Sequence, residues 1–179
     1  MTAGPAPESA ILLPVPEADP LVGRWRARYD ESAKAGIPAH ISLLYPFLPP
    51  DRISDKDVER LGSLFASVPR FRYDLKAVGR FPHVVYLAPD PDEPMRALTE
   101  RIWALYPETP PYGGVFDQVI PHVTVANFDD EDILNQAEAA VRPGLPIRSY
   151  ATEAWLMTQV DDEGWKIDRR FPLSEPLSN

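Results

Sequence analysis

Two segments of the chain carry a histidine followed two residues later by a hydroxyl residue, with apolar residues between and after them. The first pair is His40 and Ser42, and the second pair is His122 and Thr124. Successive side chains of a β-strand point to opposite faces, so each pair would present an imidazole and a hydroxyl together. At about 3.3 Å of rise per residue the two groups stand roughly 6–7 Å apart, a gap that a bound phosphate can bridge. The pattern therefore predicts two strands, each of which presents one imidazole and one hydroxyl on the same face.

The segments around these pairs show a repeated order of apolar patterns. Apolar residues at three- and four-residue spacing predict amphipathic helices, and alternating apolar residues predict strands. The predicted first half is a strand at 11–15, a helix from 19, a strand at 39–47, a helix at 54–68 and a strand at 71–77. The predicted second half is a strand at 83–87, a helix from 92, a strand at 121–128, a helix from 129 and strands at 147–160 and 165–173. Each half is a β-α-β-α-β unit with its histidine in the middle strand, and the second half has one strand added, as expected of a diverged internal duplication.

The connections between these elements limit the topology. The link at 79–82 is too short for a parallel crossover, so it predicts a hairpin and disfavours a doubly wound parallel sheet. If the halves pack with approximate two-fold symmetry, the two histidine strands can be neighbours that face one cleft. Residues 1–9 are expected to form a flexible leader, and a turn is expected at 161–164.

Composition excludes several classes of protein. The chain has 179 residues, no cysteine and a formal net charge of −9. Without cysteine there is no disulfide scaffold, thiolate zinc site or cysteine nucleophile. The negative charge opposes binding to long nucleic acid, although a local positive pocket can still hold a small phosphorylated ligand. No apolar run has the length of a membrane span and no signal peptide pattern is present, so we expect a cytoplasmic protein that binds no membrane. We also expect a monomer.

The motifs at 40–43 (His-Ile-Ser-Leu) and 122–125 (His-Val-Thr-Val) resemble the signature of the 2H phosphoesterases, also called the LigT or 2′-5′ RNA ligase-like superfamily. The element order matches over about residues 10 to 173. The resemblance implies an α+β fold of two duplicated β-α-β-α-β units, with mostly antiparallel sheets facing a central cleft, and hence one bilobal domain over 10–179. It also implies chemistry without metal or cofactor on 2′,3′-cyclic phosphates or 2′-5′ phosphodiesters of nucleotides or RNA ends, and it leaves room for 2′-5′ RNA ligation.

Acid–base catalysis fits the same residues. Cleaving a cyclic phosphodiester needs a base that deprotonates water and an acid that protonates the leaving oxygen, and histidine can hold either role near neutral pH. We expect His40 and His122 to divide these two roles. The hydroxyls of Ser42 and Thr124 would donate hydrogen bonds to the non-bridging oxygens of the substrate phosphate. The sequence leaves open which histidine is the acid.

The chain departs from the family after its second motif, where many members have an arginine or a lysine. Here residues 126–128 (Ala-Asn-Phe) supply no positive charge. The charge of the phosphate would then be met by a histidinium, by backbone amides or by a basic residue from elsewhere in the chain. The candidates are Arg24, Arg26, Arg80 and Arg169, and each of them is also typical of a solvated surface charge.

Three aromatic residues are candidates for stacking on a nucleobase. Tyr112 and Phe116 rank first because they lie in the long loop before His122, and loops of that length often cover sites. Tyr45, just after the first motif, is the third candidate, and packing within the core or the loop is the alternative for all three. His83 lacks a hydroxyl residue two positions on and is expected on the surface of a strand.

Other functions remain open at this point. A catalytic zinc site needs three protein ligands, and the two motif histidines fall one short unless a carboxylate joins them, so we expect no metal. A catalytically silent module that binds a nucleotide or an RNA end on the same fold is the stronger rival, because the acidic charge and the missing arginine are compatible with it. A serine enzyme is disfavoured, since the segment around Ser42 has no nucleophile elbow.

Overall fold

The computed structural model describes residues 6–160 and 163–176, and in them eight strands form one sheet with helices packed beside it. The strands are β1 (Ser9–Pro14), β2 (His40–Leu44), β3 (Phe71–Phe81), β4 (Val84–Asp90), β5 (Val123–Asn127), β6 (Ile147–Ala151), β7 (Glu153–Val160) and β8 (Gly164–Pro172). The α-helices are α1 (Asp19–Tyr29), α2 (Glu31–Lys34), α3 (Asp55–Ala66), α4 (Glu93–Leu105) and α5 (Glu131–Val141).

The two histidine strands are neighbours at the centre of the sheet. The strand order is β6-β3-β4-β5-β2-β1-β7-β8, and the paired strands run antiparallel. The joint between β2 and β5 is narrow, with Ile41 opposite Val123. It divides the sheet into two lobes of four strands, β6-β3-β4-β5 and β2-β1-β7-β8. The predicted α+β fold with antiparallel strands is confirmed.

Alternation of side chains fixes which face of the two central strands is polar. The apolar residues on one face are at most 1% exposed: Ile41, Leu43, Val123 and Val125. The motif histidines and hydroxyl residues are half-buried on the other face. Each such apolar side chain contributes about 1.5–3 kcal/mol when it is buried. A slip of one residue would exchange the two faces, so core packing holds the imidazoles and hydroxyls on the cleft side.

The lobes do not coincide with the two halves of the sequence, which corrects the predicted strand assignment. The single strand predicted at 147–160 is two strands interrupted at Thr152: β6 pairs with β3, while β7 pairs with β1 at the other end of the sheet. Strand β3, from the first half, therefore lies in the lobe of β4 and β5. Hydrophobic alternation predicts a strand but not its partner, which explains the error.

Local signals place most of the helix ends where they were expected. Ser54 and Asp57 form a reciprocal capping box at the start of α3, and Asp130 caps α5 by accepting hydrogen bonds from two backbone N–H groups. Pro20 lies in the first turn of α1. A proline there costs no hydrogen bond, because the first helical N–H groups have no partner within the helix. None of the helices in the described ranges is long and apolar enough to cross a membrane.

Several boundaries differ from the expectation. The predicted hairpin joins β3 and β4, but His83 lies in its turn with φ of 63° and not in a strand. Strand β1 begins at Ser9, which had been placed in the leader; residues 1–5 of that leader lie outside the described residues. The turn expected at 161–164 lies partly outside them too, because 161 and 162 are not described.

Candidate active site

The four motif side chains form the corners of a small quadrilateral on the cleft face of β2 and β5. Continuing the antiparallel register of this joint by one residue in each direction places His40 opposite Thr124. In the same way Ser42 lies opposite His122. Because opposite residues are about 5 Å apart and residues two apart on a strand about 6–7 Å, the Cα atoms of the histidines lie roughly 8 Å apart on a diagonal. A phosphate between the strands would have an imidazole on each of two opposite sides.

Both imidazoles are oriented by the same backbone contact. Nδ1 of His40 lies 2.8 Å from the carbonyl oxygen of Pro38, and Nδ1 of His122 lies 2.7 Å from that of Ile120. A carbonyl oxygen only accepts hydrogen bonds, so Nδ1 carries the proton in each ring. In the neutral form, Nε2 then keeps its lone pair and is the atom free to accept a proton.

Burial makes both imidazoles harder to protonate than an ordinary histidine. It lowers the pKa of His40 to about 4; the hydrogen bond to Pro38 opposes this effect, and the charge of Arg26 adds to it. Burial also lowers the pKa of His122, against the hydrogen bond to Ile120, which raises it. Both histidines are therefore neutral in the free protein near pH 7.

Aromatic rings hold His122 in place. Phe81 packs on it in an edge-to-face geometry with 5.1 Å between ring centroids, and the ring of Tyr86 lies 5.4 Å away. The two aromatic rings stack on each other at 4.3 Å. Gly79 makes room for this arrangement, because a Cβ there would lie 2.3 Å from the Tyr86 ring. No pattern in the sequence indicates this support, because these residues come from the neighbouring hairpin.

A cavity of about 430 Å³ lies over the two central strands, and its lining contains both motifs. This volume falls within the range of small-molecule sites. The residues named from the sequence that line it are His40, Ser42, Tyr45, Tyr112, His122 and Thr124.

The three candidates for base stacking separate into two groups. Tyr45 and Tyr112 line the cavity with ring centroids 6.5 Å apart, and the hydroxyl of Tyr45 donates to Glu8 at 2.6 Å. Phe116 does not belong to the described lining. It is 62% exposed, touches Tyr112 at a centroid distance of 5.7 Å and faces a neighbouring groove beside Trp103. Its side chain therefore lies outside the cleft that holds the histidines.

The candidate arginines do not reach the cleft. Arg24, Arg80 and Arg169 lie at the surface, against a neighbouring aromatic ring or carboxylate. Arg26 is buried and pairs with Asp30 at 3.0 Å beneath the wall of the cleft. Among the described residues that line the cavity there is no lysine or arginine. A phosphate bound in this cavity would therefore be met mainly by neutral hydrogen-bond donors.

Several lining residues carry no signal in the sequence. Glu8 directly precedes β1, Gln159 and Trp165 come from the ends of β7 and β8, and Asp30 and Glu31 come from the junction of α1 and α2. Their meeting at the cleft depends on the tertiary fold. Within the described ranges, no three His, Cys, Asp or Glu side chains group together as ligands for a metal ion.

Comparison with known proteins gives consistent matches. Residues 14–163 match the sequence model of the 2′-5′ RNA ligase superfamily. A proposed phosphoesterase of Bacillus pumilus is 28% identical over 173 residues, covering 92% of this chain and 96% of that protein. A proposed phosphoesterase of Oceanobacillus iheyensis is 24% identical, covering 83% of this chain and 86% of that protein.

Solved structures show the same fold. Escherichia coli LigT in complex with 3′-AMP superposes with a TM-score of 0.59 at 21% identity, covering 94% of this chain and 98% of that chain. A Thermus thermophilus protein superposes with the same TM-score at 17% identity, with the same coverage of both chains. At these identities the likeness concerns the arrangement of the backbone.

Proposed function

We propose that this chain, which belongs to the 2′-5′ RNA ligase superfamily, is a metal-independent phosphodiesterase. Its substrates would be 2′,3′-cyclic phosphates or 2′-5′ phosphodiesters of nucleotides or RNA ends. The observation that carries the proposal is the diagonal placement of His40 and His122 on adjacent antiparallel strands, with Ser42 and Thr124 at the other two corners.

The diagonal suits an in-line displacement at phosphorus. The neutral histidine takes a proton from water through Nε2 as the water oxygen forms a bond to phosphorus. The bond from phosphorus to the leaving oxygen breaks, and the protonated histidine on the opposite side gives its proton to that oxygen. The product is a phosphate monoester with a free hydroxyl, and the two histidines have exchanged protonation states.

Binding of the anionic substrate favours protonation of one histidine. Both imidazoles are neutral in the free protein because burial lowers their pKa values. A phosphodiester anion bound beside one of them favours the charged form of that ring. The acid is therefore generated in the complex, and the hydroxyls of Ser42 and Thr124 stabilise the non-bridging oxygens. The complex of Escherichia coli LigT with 3′-AMP supports a nucleotide-sized ligand.

A binding module without catalytic activity is the alternative function. The described lining contains the carboxylates of Glu8, Asp30 and Glu31 and no lysine or arginine. A site that lacks a cation stabilises the charge of a transition state less than one that has it. This alternative predicts ligand binding with no turnover, by the wild type and by a His40→Ala variant alike.

The deciding experiment is hydrolysis of nucleoside 2′,3′-cyclic phosphates in the presence of a chelator. We expect turnover by the wild type and its loss in His122→Ala, with the 2′- or 3′-monophosphate product showing which bond is cut. His83→Ala is the matched control, because His83 is exposed on a turn and does not line the cleft. Equal rates in the two variants, or activity that the chelator abolishes, would contradict the proposal.

A double variant tests whether the histidines share one step. Replacing either His40 or His122 by alanine is expected to reduce kcat by about three orders of magnitude or more, and the double replacement should be little worse than one single replacement. Near-additive losses in the logarithm of the rate would indicate two independent effects and would argue against a shared acid–base step. Far-ultraviolet circular dichroism of each variant checks that the fold is intact.

A further inference from the structure

Neutral donors must carry most of the phosphate binding in this cleft. The described lining holds three carboxylates and no lysine or arginine, and the motifs contribute one hydroxyl each. A phosphodiester has two non-bridging oxygens, and each accepts more than one hydrogen bond. The two motif hydroxyls cannot supply all the hydrogen bonds that these oxygens can accept, so the cleft has room for a further donor.

Tyr112 brings a third hydroxyl to the same place. It lines the cavity together with both motifs, so its side chain and that of Ser42 border the same space. Its ring is packed edge-to-face against Tyr45 on one side and Phe116 on the other, with interplanar angles of 69° and 81°. The ring thus has aromatic partners from the protein itself, and the hydroxyl is the one polar group of this side chain.

The backbone at Tyr112 is held in an unfavourable conformation. Its φ of 51° and ψ of 35° are left-handed, a region that is costly for a bulky residue with a Cβ. The conformation is secured by the Tyr112 N–H, which donates to the carbonyl oxygen of Tyr45 at 2.6 Å. Strain of this kind persists where the surrounding structure fixes it, and it is concentrated at functional sites.

We propose that the Tyr112 hydroxyl donates a hydrogen bond to a non-bridging oxygen of the substrate phosphate, next to Ser42. The residue then acts as a neutral replacement for the cation that many family members carry after the second motif. A phosphate bound between the motifs accepts from both hydroxyls. The inference rests on the proposed function for the identity of the ligand, and it assigns Tyr112 a role through its hydroxyl and not through stacking.

Two substitutions separate the hydroxyl from the ring. Tyr112→Phe removes only the hydroxyl, whereas Tyr112→Leu also removes the aromatic surface. The probes are adenosine 3′-monophosphate and adenosine, and their binding is followed by calorimetry at pH 5.5, where most of the phosphate carries a single charge. Tyr150→Phe is the matched control, because Tyr150 is an exposed residue of β6 at the far end of the sheet.

We expect Tyr112→Phe to weaken adenosine 3′-monophosphate about tenfold, which is the size of one hydrogen bond to a charged group, and to leave adenosine unchanged. Tyr150→Phe should bind both as the wild type does. Wild-type affinity of Tyr112→Phe for the nucleotide would overturn the inference. If only Tyr112→Leu lost affinity, and lost it for nucleotide and nucleoside alike, the residue would act by stacking. This result would overturn the inference as well.

Turnover separates failure of this inference from failure of the proposed function. If the wild type binds adenosine 3′-monophosphate but hydrolyses no cyclic phosphate, the catalytic proposal fails, while the Tyr112→Phe comparison still decides the role of the hydroxyl. If the wild type hydrolyses the substrate and Tyr112→Phe matches it in both binding and kcat/KM, only the present inference fails. A wild type that neither binds the nucleotide nor turns over the substrate contradicts both.

Discussion

The protonation states of two imidazoles determine what the cleft can do. Each ring donates Nδ1–H to a backbone carbonyl and keeps Nε2 for the ligand, so in the free protein both His40 and His122 can accept a proton at Nε2. Burial opposes the charged form of both rings. In the proposed mechanism, the pairing of one acid with one base would therefore arise only in the complex with an anionic substrate.

The pH dependence of hydrolysis follows from these shifts. We expect kcat/KM for a 2′,3′-cyclic nucleotide to be bell-shaped with its maximum below pH 6.5, the ordinary pKa of histidine. The alkaline limb reports proton loss from the acid in the free enzyme, and the acid limb reports protonation of the base. Because burial lowers the pKa of both groups, both limbs move to lower pH. Initial rates from pH 4 to 9 at constant ionic strength test this, and an alkaline midpoint above pH 7 would contradict it.

One variant shows which limb belongs to His122. Phe81→Leu removes the ring that packs on this histidine and admits water, which should raise the pKa of His122 toward its ordinary value. Movement of the alkaline limb alone would make His122 the acid, and movement of the acid limb alone would make it the base. If neither limb moved, burial by Phe81 would not be the cause of the shift.

At this scale the sequence carries local information only. The motif residues could be picked out because alternation along a strand places His40 with Ser42, and His122 with Thr124, on one face. Tyr112 could not be placed in the same lining as Ser42, because its position depends on a left-handed backbone and on a loop that is hydrogen-bonded to Tyr45. The roles of all these side chains remain predictions until they are measured.

Among the elements, the segment between α1 and β2 is the one that sets the position of His40. Arg26 donates from Nε to Asp30 at 3.0 Å, and from Nη2 to Ser32 at 3.0 Å and to the carbonyl oxygen of Ile37 at 3.1 Å. The arginine and the aspartate are 3% and 4% exposed. This network ties the end of α1 to the chain just before Pro38, whose carbonyl oxygen orients the histidine.

Replacing Asp30 by asparagine should destabilise the fold strongly. The amide keeps the size of the carboxylate but leaves the charge of Arg26 buried without a counter-charge, which costs about 3–5 kcal/mol. The matched control is Asp92→Asn, which disrupts the more exposed ion pair with Arg96 at the same helical spacing and should cost about 1 kcal/mol or less. Urea unfolding provides both free energies, and equal losses would show that the buried network contributes no more than a surface pair.

The strands show where prediction from the sequence ends. Apolar periodicity located the strands and α-helices to within a few residues, apart from the single-turn α2 and the division between β6 and β7. Thr152 interrupts the ladder there, so that β6 joins β3 and β7 joins β1 at opposite ends of the sheet. No local pattern encodes such a separation, because the partner of a strand is chosen by the packing of the whole sheet.

In the whole molecule, helices reinforce the narrow joint between the lobes. Helix α1 contacts β5, with the rings of Tyr29 and Phe128 at 5.1 Å, although α1 follows β1 of the other lobe. In the reciprocal arrangement α4 contacts β2, where the Thr99 hydroxyl donates to the carbonyl oxygen of Leu43 at 2.7 Å. The distance between the two histidines is thus fixed by helix packing as well as by the sheet.

The charge of the molecule distinguishes this cleft from a cationic nucleotide site. The chain carries a net charge of −9, and Glu8, Asp30 and Glu31 line the cavity. Arg26 pairs with Asp30, and Lys34 pairs with Glu31. Glu8 has no such ion pair among the described residues of this lining and accepts a hydrogen bond from the neutral Tyr45 hydroxyl. An anionic substrate would therefore approach against a repulsive field, and we expect a singly charged diester to be favoured over a polyphosphate.

Salt should for this reason accelerate the reaction at low substrate concentration. Raising the ionic strength from 0.02 to 0.2 M shortens the Debye length from roughly 20 Å to 7 Å, so we expect kcat/KM for a 2′,3′-cyclic nucleotide to rise by about twofold or more. Glu8→Gln keeps a hydrogen-bond acceptor for Tyr45 and removes one negative charge, so it should raise kcat/KM at low salt and flatten the dependence. Initial rates of both proteins across this range measure the effect. A fall in kcat/KM with added salt would mean that a positive field attracts the substrate. It would contradict the idea that the carboxylates at the cleft repel anionic substrates.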